Sequence, residues 1–150
     1  MAIRYPIVPE NITVHLGAPD VAARNITISF TDYIANVASS EIYPTWPINA
    51  LKANILAIIS FTMNRIYNEW YTSKGYNFDI TSSPTYDQTY IENRVVYENI
   101  VTIVKDLFDD YIVKDNQVQP YFAQYCDGRK LTCNGLSQWG TVSLANQGKS

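Results

Sequence analysis

The stretch that decides the fold is PINALKANILAIISFTMNRIYNEW, residues 47–70. Its apolar side chains recur at spacings of three and four, which predicts an α-helix. Pro47 suits the first turn of a helix, because its fixed φ and missing N–H cost little there. Both faces are apolar around residues 55–61. We therefore expect a helix of about 25 residues, from 47 to about 72 and about 38 Å long, whose middle lies at the centre of the core.

Shorter elements are predicted on both sides of this helix. Residues 12–16 and 25–30 alternate apolar and polar side chains around a Gly-Ala-Pro-Asp turn, which predicts a β-hairpin. Thr31 is the expected cap of a short helix over residues 32–39. Further along, the patterns predict a strand, a loop, a second long helix, a strand, a tight loop and a last helix, over residues 78–81, 82–89, 95–114, 118–125, 126–133 and 137–146.

These elements predict an α+β fold. The length of 150 residues suits one domain, with a long buried central helix, a second long helix and short antiparallel strands. Only Lys149 and Ser150 follow the stretch of residues 136–148, which reads as a helix with a glycine stop. We therefore expect residues 1–150 to be one domain that is cut at its C-terminal side from a longer protein.

Composition and charge argue against several classes of function. The chain has 11 Lys+Arg against 14 Asp+Glu, a net charge of −3, and no basic stretch, so a nucleic-acid partner is not expected. No run reaches the roughly 18 apolar residues of a membrane span, and the first residues do not resemble a secretory signal peptide. The single histidine, His15, argues against a His-rich metal site and against a His-activated nucleophile.

Glu41 is the carboxylate that the pattern favours for chemistry. It follows the short predicted helix and precedes a proline-stiffened loop that contains Tyr43 and Trp46. A carboxyl held against aromatic rings is desolvated, which disfavours its charged form and suits a general acid near neutral pH. Two structural roles compete with this interpretation: Glu41 could cap the long helix or pair with Lys52.

Three further groups of residues leave alternatives open. Asp87 and Gln88 lie in a tyrosine-rich loop, which suits sugar hydroxyls or a polar turn packed by tyrosines. Ser137 could cap the last helix. Cys126 and Cys133 could form a disulfide, half of a zinc site, or two unpaired thiols.

Three segments in order resemble the stage II sporulation protein D family, also called the amidase-enhancer domain family. The first is NVASSEIYPTWP followed by ALKAN, similar to a valine-rich helix, a glutamate, an aromatic loop and an Ala-Leu-Lys-Ala-Gln helix start. The second is YNFDIT with the later QTY, similar to a tyrosine–aspartate and Gln-x-Tyr segment. The third is GLSQWG, similar to a Gly-Met-Ser-Gln-Tyr-Gly-Ala motif. The likeness runs over about residues 25–148.

The resemblance implies a peptidoglycan lytic transglycosylase, which cleaves the β-1,4 bond between N-acetylmuramic acid and N-acetylglucosamine and leaves a 1,6-anhydro end. It implies Glu41 as the catalytic residue. It implies glycan strands of the bacterial cell wall as the partner, with a further wall-binding domain in the longer protein. The alternative is a non-catalytic peptidoglycan-binding or amidase-stimulating module of a larger cell-wall assembly. The substrate-binding residues implied are Tyr43, Trp46, Gln88, Tyr90, Ser137, Gln138 and Trp139.

The chain departs from the family pattern at two points. The family's Ala-Arg-Thr-Tyr stretch aligns with IISF of residues 58–61, so the arginine is missing. Some members bind zinc through Cys and His beside the third motif. Here Cys126 and Cys133 lie near that motif, but His15 lies far from it, so we carry over neither zinc nor any other cofactor.

Overall fold

The apolar stretch forms the central helix, α2 (Ile48–Tyr67), in a computed structural model that describes residues 6–126 and 135–148. Thirteen of its 20 residues are buried, on both faces, as the sequence predicts for a central helix. The helix ends before the expected residue 72, because Glu69 has a φ of +50° and this left-handed conformation stops an α-helix.

The helix before it, α1 (Phe30–Glu41), carries the glutamate of interest at its last position. Ser29, and not the predicted Thr31, is its N-cap. The Ser29 hydroxyl accepts a hydrogen bond from the amide of Asp32 at 3.2 Å, which leaves Thr31 inside the first turn. The helix also continues two residues beyond the predicted 32–39.

A third helix, α3 (Glu98–Leu107), is shorter than the predicted residues 95–114. After it Phe108 is exposed, and the chain turns so that the amide of Ile112 donates to Ser60 Oγ at 2.6 Å. The apolar periodicity continues past Leu107 in the sequence, but the chain leaves the helix there, and Tyr111 packs against the core from the irregular segment that follows. The buried residues of α3 are Ile100, Ile103 and Val104.

A three-stranded sheet lies at the N-terminal side. β1 (Asn11–His15) and β2 (Asn25–Ser29) pair antiparallel, which confirms the predicted hairpin. β3 (Ile80–Thr81) falls in the predicted strand of residues 78–81 but pairs parallel with β1, so the sheet is mixed, in the order β2-β1-β3.

A second sheet, of two strands, lies near the C-terminal end of the chain. β4 (Tyr125–Cys126) pairs parallel with β5 (Leu136–Ser137), where antiparallel strands were expected. The strand predicted over residues 118–125 forms only at its end. Pro120 lacks the N–H that a strand ladder needs, and it makes a single bridge with Val113.

The last helix, α4 (Gln138–Asn146), forms as predicted and packs on α2. Asn54 in α2 donates to Thr141 Oγ1 in α4 at 2.8 Å, which holds the two helices together. The Cys126–Cys133 pairing and the tight loop between these cysteines lie outside the described residues. In the described part of the chain, no helix is long and apolar enough to cross a membrane.

Candidate active site

Glu41 stands at the boundary between two pockets, of about 350 and 460 Å³. Ser40, Glu41 and Gln138 line both, so the two pockets adjoin at the carboxylate, and we call them together the cleft. We name its two sides by their walls. The aromatic half is lined in addition by Ser39, Ile42, Tyr43, Trp46, Arg94, Tyr97 and Trp139. The loop half is lined in addition by Phe61, Pro84, Thr85, Tyr86, Asp87, Phe122, Gln124 and Tyr125.

The half-buried Glu41 carboxylate is held from two directions. Its Oε1 accepts a hydrogen bond from the backbone N–H of Thr89 at 3.1 Å, and its Oε2 lies 3.5 Å from the Gln138 side-chain nitrogen. The two structural roles considered for it are not the ones observed. α2 begins after Pro47 without a side-chain cap, and Lys52 lines a separate pocket on the exposed side of α2.

Three of the predicted aromatic residues come together in the aromatic half. The rings of Trp46 and Trp139 lie 4.7 Å apart, and Tyr43 lies 5.8 Å from each. Trp46 is buried and Tyr43 is 59% exposed, so this wall combines a packed base with an exposed ring. Ser137 caps α4, since its Oγ accepts from the amide of Gly140 at 3.1 Å.

The loop half is held by a buried ion pair that the sequence analysis missed. Arg65 Nε donates to Asp87 Oδ1 at 2.8 Å. Asp87 Oδ2 accepts from the Tyr71 hydroxyl at 2.7 Å and from the amide and hydroxyl of Thr81 at 2.9 and 2.6 Å. The Asp87 side chain is fully buried, so it anchors the loop that carries Thr89. The only signal in the sequence was an arginine within an apolar helix pattern.

Gln88 and Tyr90 lie behind the cleft. The Gln88 amide donates to Thr62 Oγ1 at 2.9 Å and to the Tyr33 hydroxyl at 3.2 Å, and it accepts from the Tyr125 hydroxyl at 2.9 Å. Both Gln88 and Tyr90 are buried, and the Tyr90 ring stacks on that of Tyr33. The structure therefore places these two predicted binding residues beneath the surface of the cleft, where they support it.

Burial keeps the phenols of this support neutral. It raises the pKa of Tyr33 far above the ordinary value. Burial also raises the pKa of Tyr125 well above that value, and the charge of nearby Glu41 adds to the effect. The Tyr125 hydroxyl is therefore a stable hydrogen-bond donor to Gln88.

His15 lies in the hairpin, away from the cleft. Its ring nitrogens contact Asn25 Oδ1 at 2.7 Å and the carbonyl of Val21 at 2.9 Å. Within residues 6–126 and 135–148, no group of three His, Cys, Asp or Glu side chains is placed to hold a metal ion.

The fold and the cleft define a class: a small α+β protein in which a helix-terminal carboxylate stands between two pockets. The family model described as stage II sporulation protein (SpoIID) matches residues 20–118, which is 99 of the 150 residues. The chain belongs to this family, which confirms the resemblance, while the third motif, residues 135–140, lies outside the match. The match includes Glu41, the aromatic loop and the Gln88–Tyr90 segment. No curated protein matches the chain.

Proposed function

We propose that this protein is a peptidoglycan lytic transglycosylase that acts at the bacterial cell wall. The observation that carries the proposal is the place of Glu41, held by Thr89 and Gln138 at the point where two pockets meet. A polymer that occupies both pockets would present one of its linkages to this carboxyl. Family membership supports a glycan strand as that polymer.

The reaction needs only one carboxyl. Protonated Glu41 donates its proton to the glycosidic oxygen as the bond from C1 of N-acetylmuramic acid breaks. The resulting carboxylate then takes the proton of the C6 hydroxyl of the same sugar, whose oxygen bonds to C1 and closes the 1,6-anhydro ring. Because the C6 hydroxyl replaces water, the second carboxylate of a two-acid glycosidase is unnecessary.

The surroundings of Glu41 suit a glycan strand. The Thr89 amide and the Gln138 side chain hold the carboxyl group in place between the two pockets. The exposed ring of Tyr43, with Trp139 beside it, offers an apolar face for a sugar ring on one side. On the other side, Tyr86 is exposed and the Phe61 and Phe122 rings lie 5.0 Å apart.

A second candidate is a module that binds peptidoglycan, or stimulates an amidase, without turnover. The observation in its favour is Ile59, which aligns with the family arginine and is completely buried in the core. No cation therefore stands at that position of α2. The cleft and its rings are common to both candidates, so only a turnover experiment separates them.

The test is digestion of purified peptidoglycan followed by mass analysis of the released sugars. We expect anhydro products, each lighter by one water than a hydrolysed product. Glu41→Gln should reduce their release by at least about a hundredfold, because general acid–base catalysis contributes about that much or more. Binding of the glycan should be retained.

The matched control is Glu10→Gln, which removes an exposed carboxylate at the start of the hairpin. It should release products like the unmodified protein. Hydrolysed ends would indicate a muramidase, and glycan binding without any release would favour the non-catalytic module.

A further inference from the structure

The two halves of the cleft differ in charge. Arg94 lines the aromatic half and is partly exposed there. The described residues that line the loop half include no lysine and no arginine, and Asp87 there is neutralised by Arg65. Arg94 therefore gives the aromatic half a positive charge that the loop half lacks, in a chain whose net charge is −3.

Arg94 is held in the wall of the aromatic half by neutral partners. Its guanidinium donates to Ser40 Oγ at 3.2 Å and to the carbonyl of Val95 at 3.0 Å, and it lies 5.8 Å from the ring of Tyr97. These contacts use two of the five N–H donors of a guanidinium. The contrast is with Arg24 and Arg65, which pair with Glu92 and Asp87. The positive charge of Arg94 is thus positioned but not matched by any carboxylate in the described part of the chain.

We propose that Arg94 binds a carboxylate on the N-acetylmuramic acid residue whose bond is cleaved, an inference that rests on the proposed function. Of the two alternating sugars, only this one carries an acidic substituent, the lactyl ether. The free lactyl group and the stem peptide both present a planar carboxylate, which a guanidinium binds with two parallel hydrogen bonds. The carboxylate is that of the lactyl group in a peptide-free strand, or one of the stem peptide where the lactyl group is amidated.

This contact places muramic acid in the aromatic half and N-acetylglucosamine in the loop half. When the reducing end of the strand lies toward the loop half, Glu41 faces the linkage from muramic acid C1, as the reaction requires. Arg94 acts as a specificity-determining residue, since a strand shifted by one sugar would put a neutral ring beside the guanidinium.

The experiment measures ligand affinity in the Glu41→Gln background, so that no ligand is consumed. The probes are chitotetraose, which is neutral, an alternating tetrasaccharide with free lactyl carboxylates, and the same tetrasaccharide with stem peptides. We expect Arg94→Gln to weaken binding of an acidic probe by about tenfold, and to change binding of chitotetraose by less than about twofold.

Two further variants sharpen the test. Arg94→Lys should give an intermediate loss, because an ammonium keeps the charge but not the two-pronged geometry. Lys105→Gln removes an exposed positive charge on α3, away from the cleft lining, and should bind all three probes like the parent. Unchanged affinity for chitotetraose also shows that a variant is folded.

The three probes separate the two sources of the carboxylate. Loss on the peptide-free acidic probe assigns the lactyl carboxylate, and loss confined to the peptide-bearing probe assigns the stem peptide; both support the proposal. If Arg94→Gln weakened the affinity for neutral and acidic probes equally, Arg94 would only hold its loop in place, and the proposal would be wrong. Unchanged affinity for both acidic probes would also overturn the proposal. An Arg94-dependent preference in a protein that releases no anhydro product would refute the transglycosylase, while the recognition of a muramic acid carboxylate by Arg94 would stand.

Discussion

The aromatic half and the loop half of the cleft are built by different forces, although both meet at Glu41. Rings in van der Waals contact make the aromatic wall, and its outer ring, Tyr43, is exposed. A buried ion pair and a chain of hydrogen bonds through Asp87 and Gln88 make the loop wall. The aromatic wall therefore offers surface to a ligand, whereas the loop wall sets the position of the Thr89 amide that holds Glu41.

The largest effect is expected from breaking the loop wall with Asp87→Asn. This change leaves the Arg65 guanidinium buried without a counter-charge, and removal of one partner of a buried pair costs about 3 to 5 kcal/mol. Urea unfolding followed by circular dichroism measures the loss. We also expect slower glycan cleavage in the folded fraction, because the loop that carries Thr89 loses its anchor.

The control for Asp87 is Glu92→Gln, which breaks the exposed pair with Arg24. That arginine side chain is 67% exposed, so solvent screens the pair and the loss should stay below about 1 kcal/mol. Similar losses for the two variants would contradict the claim that the loop wall depends on a buried charge pair.

A smaller effect, on the same wall, is expected in alkaline solution. Burial raises the pKa of Tyr33 and of Tyr125 in the folded state, above an unfolded value of about 10. A group whose pKa rises on folding contributes stability that is complete below its unfolded pKa and is lost at higher pH. The free energy of unfolding should therefore decline above about pH 10.

The measurement is a titration that records tyrosinate absorbance and circular dichroism together. Part of the tyrosinate signal should develop only as the helical signal disappears, and Tyr125→Phe should reduce that part. If every phenol ionised while the fold remained intact, these two tyrosines would not be sealed behind the cleft.

The smallest effect is expected at the start of α4, which the two halves share through Gln138. Ser137→Ala removes the cap of this helix and should cost about 1 kcal/mol. Ser143→Ala, at an exposed position of the same helix, should change stability by less than about 0.5 kcal/mol. Thermal unfolding compares the two variants, and equal effects would show that the cap does not hold α4 in place.

Local patterns correctly predicted the elements whose apolar periodicity is contained within the element itself. The central helix, the hairpin and the last helix follow from residues within one element, and so does the place of Glu41 beside an aromatic loop. The same reasoning overextended α3, because its apolar periodicity continues past Leu107 into an irregular segment whose Tyr111 also packs against the core. It also expected antiparallel strands throughout, since strand direction depends on the route of the chain between strands.

The role of each polar residue depended on contacts between segments that are distant in the sequence. Glu41 and Gln138 are 97 positions apart, and Arg65 and Asp87 are 22 apart, so no spacing rule joins them. Burial turned Gln88 and Asp87 into internal supports, while Arg94 came to line the cleft. A pattern within one element shows which side chains are apolar, but the surface on which a polar side chain ends depends on what packs against it from elsewhere in the chain.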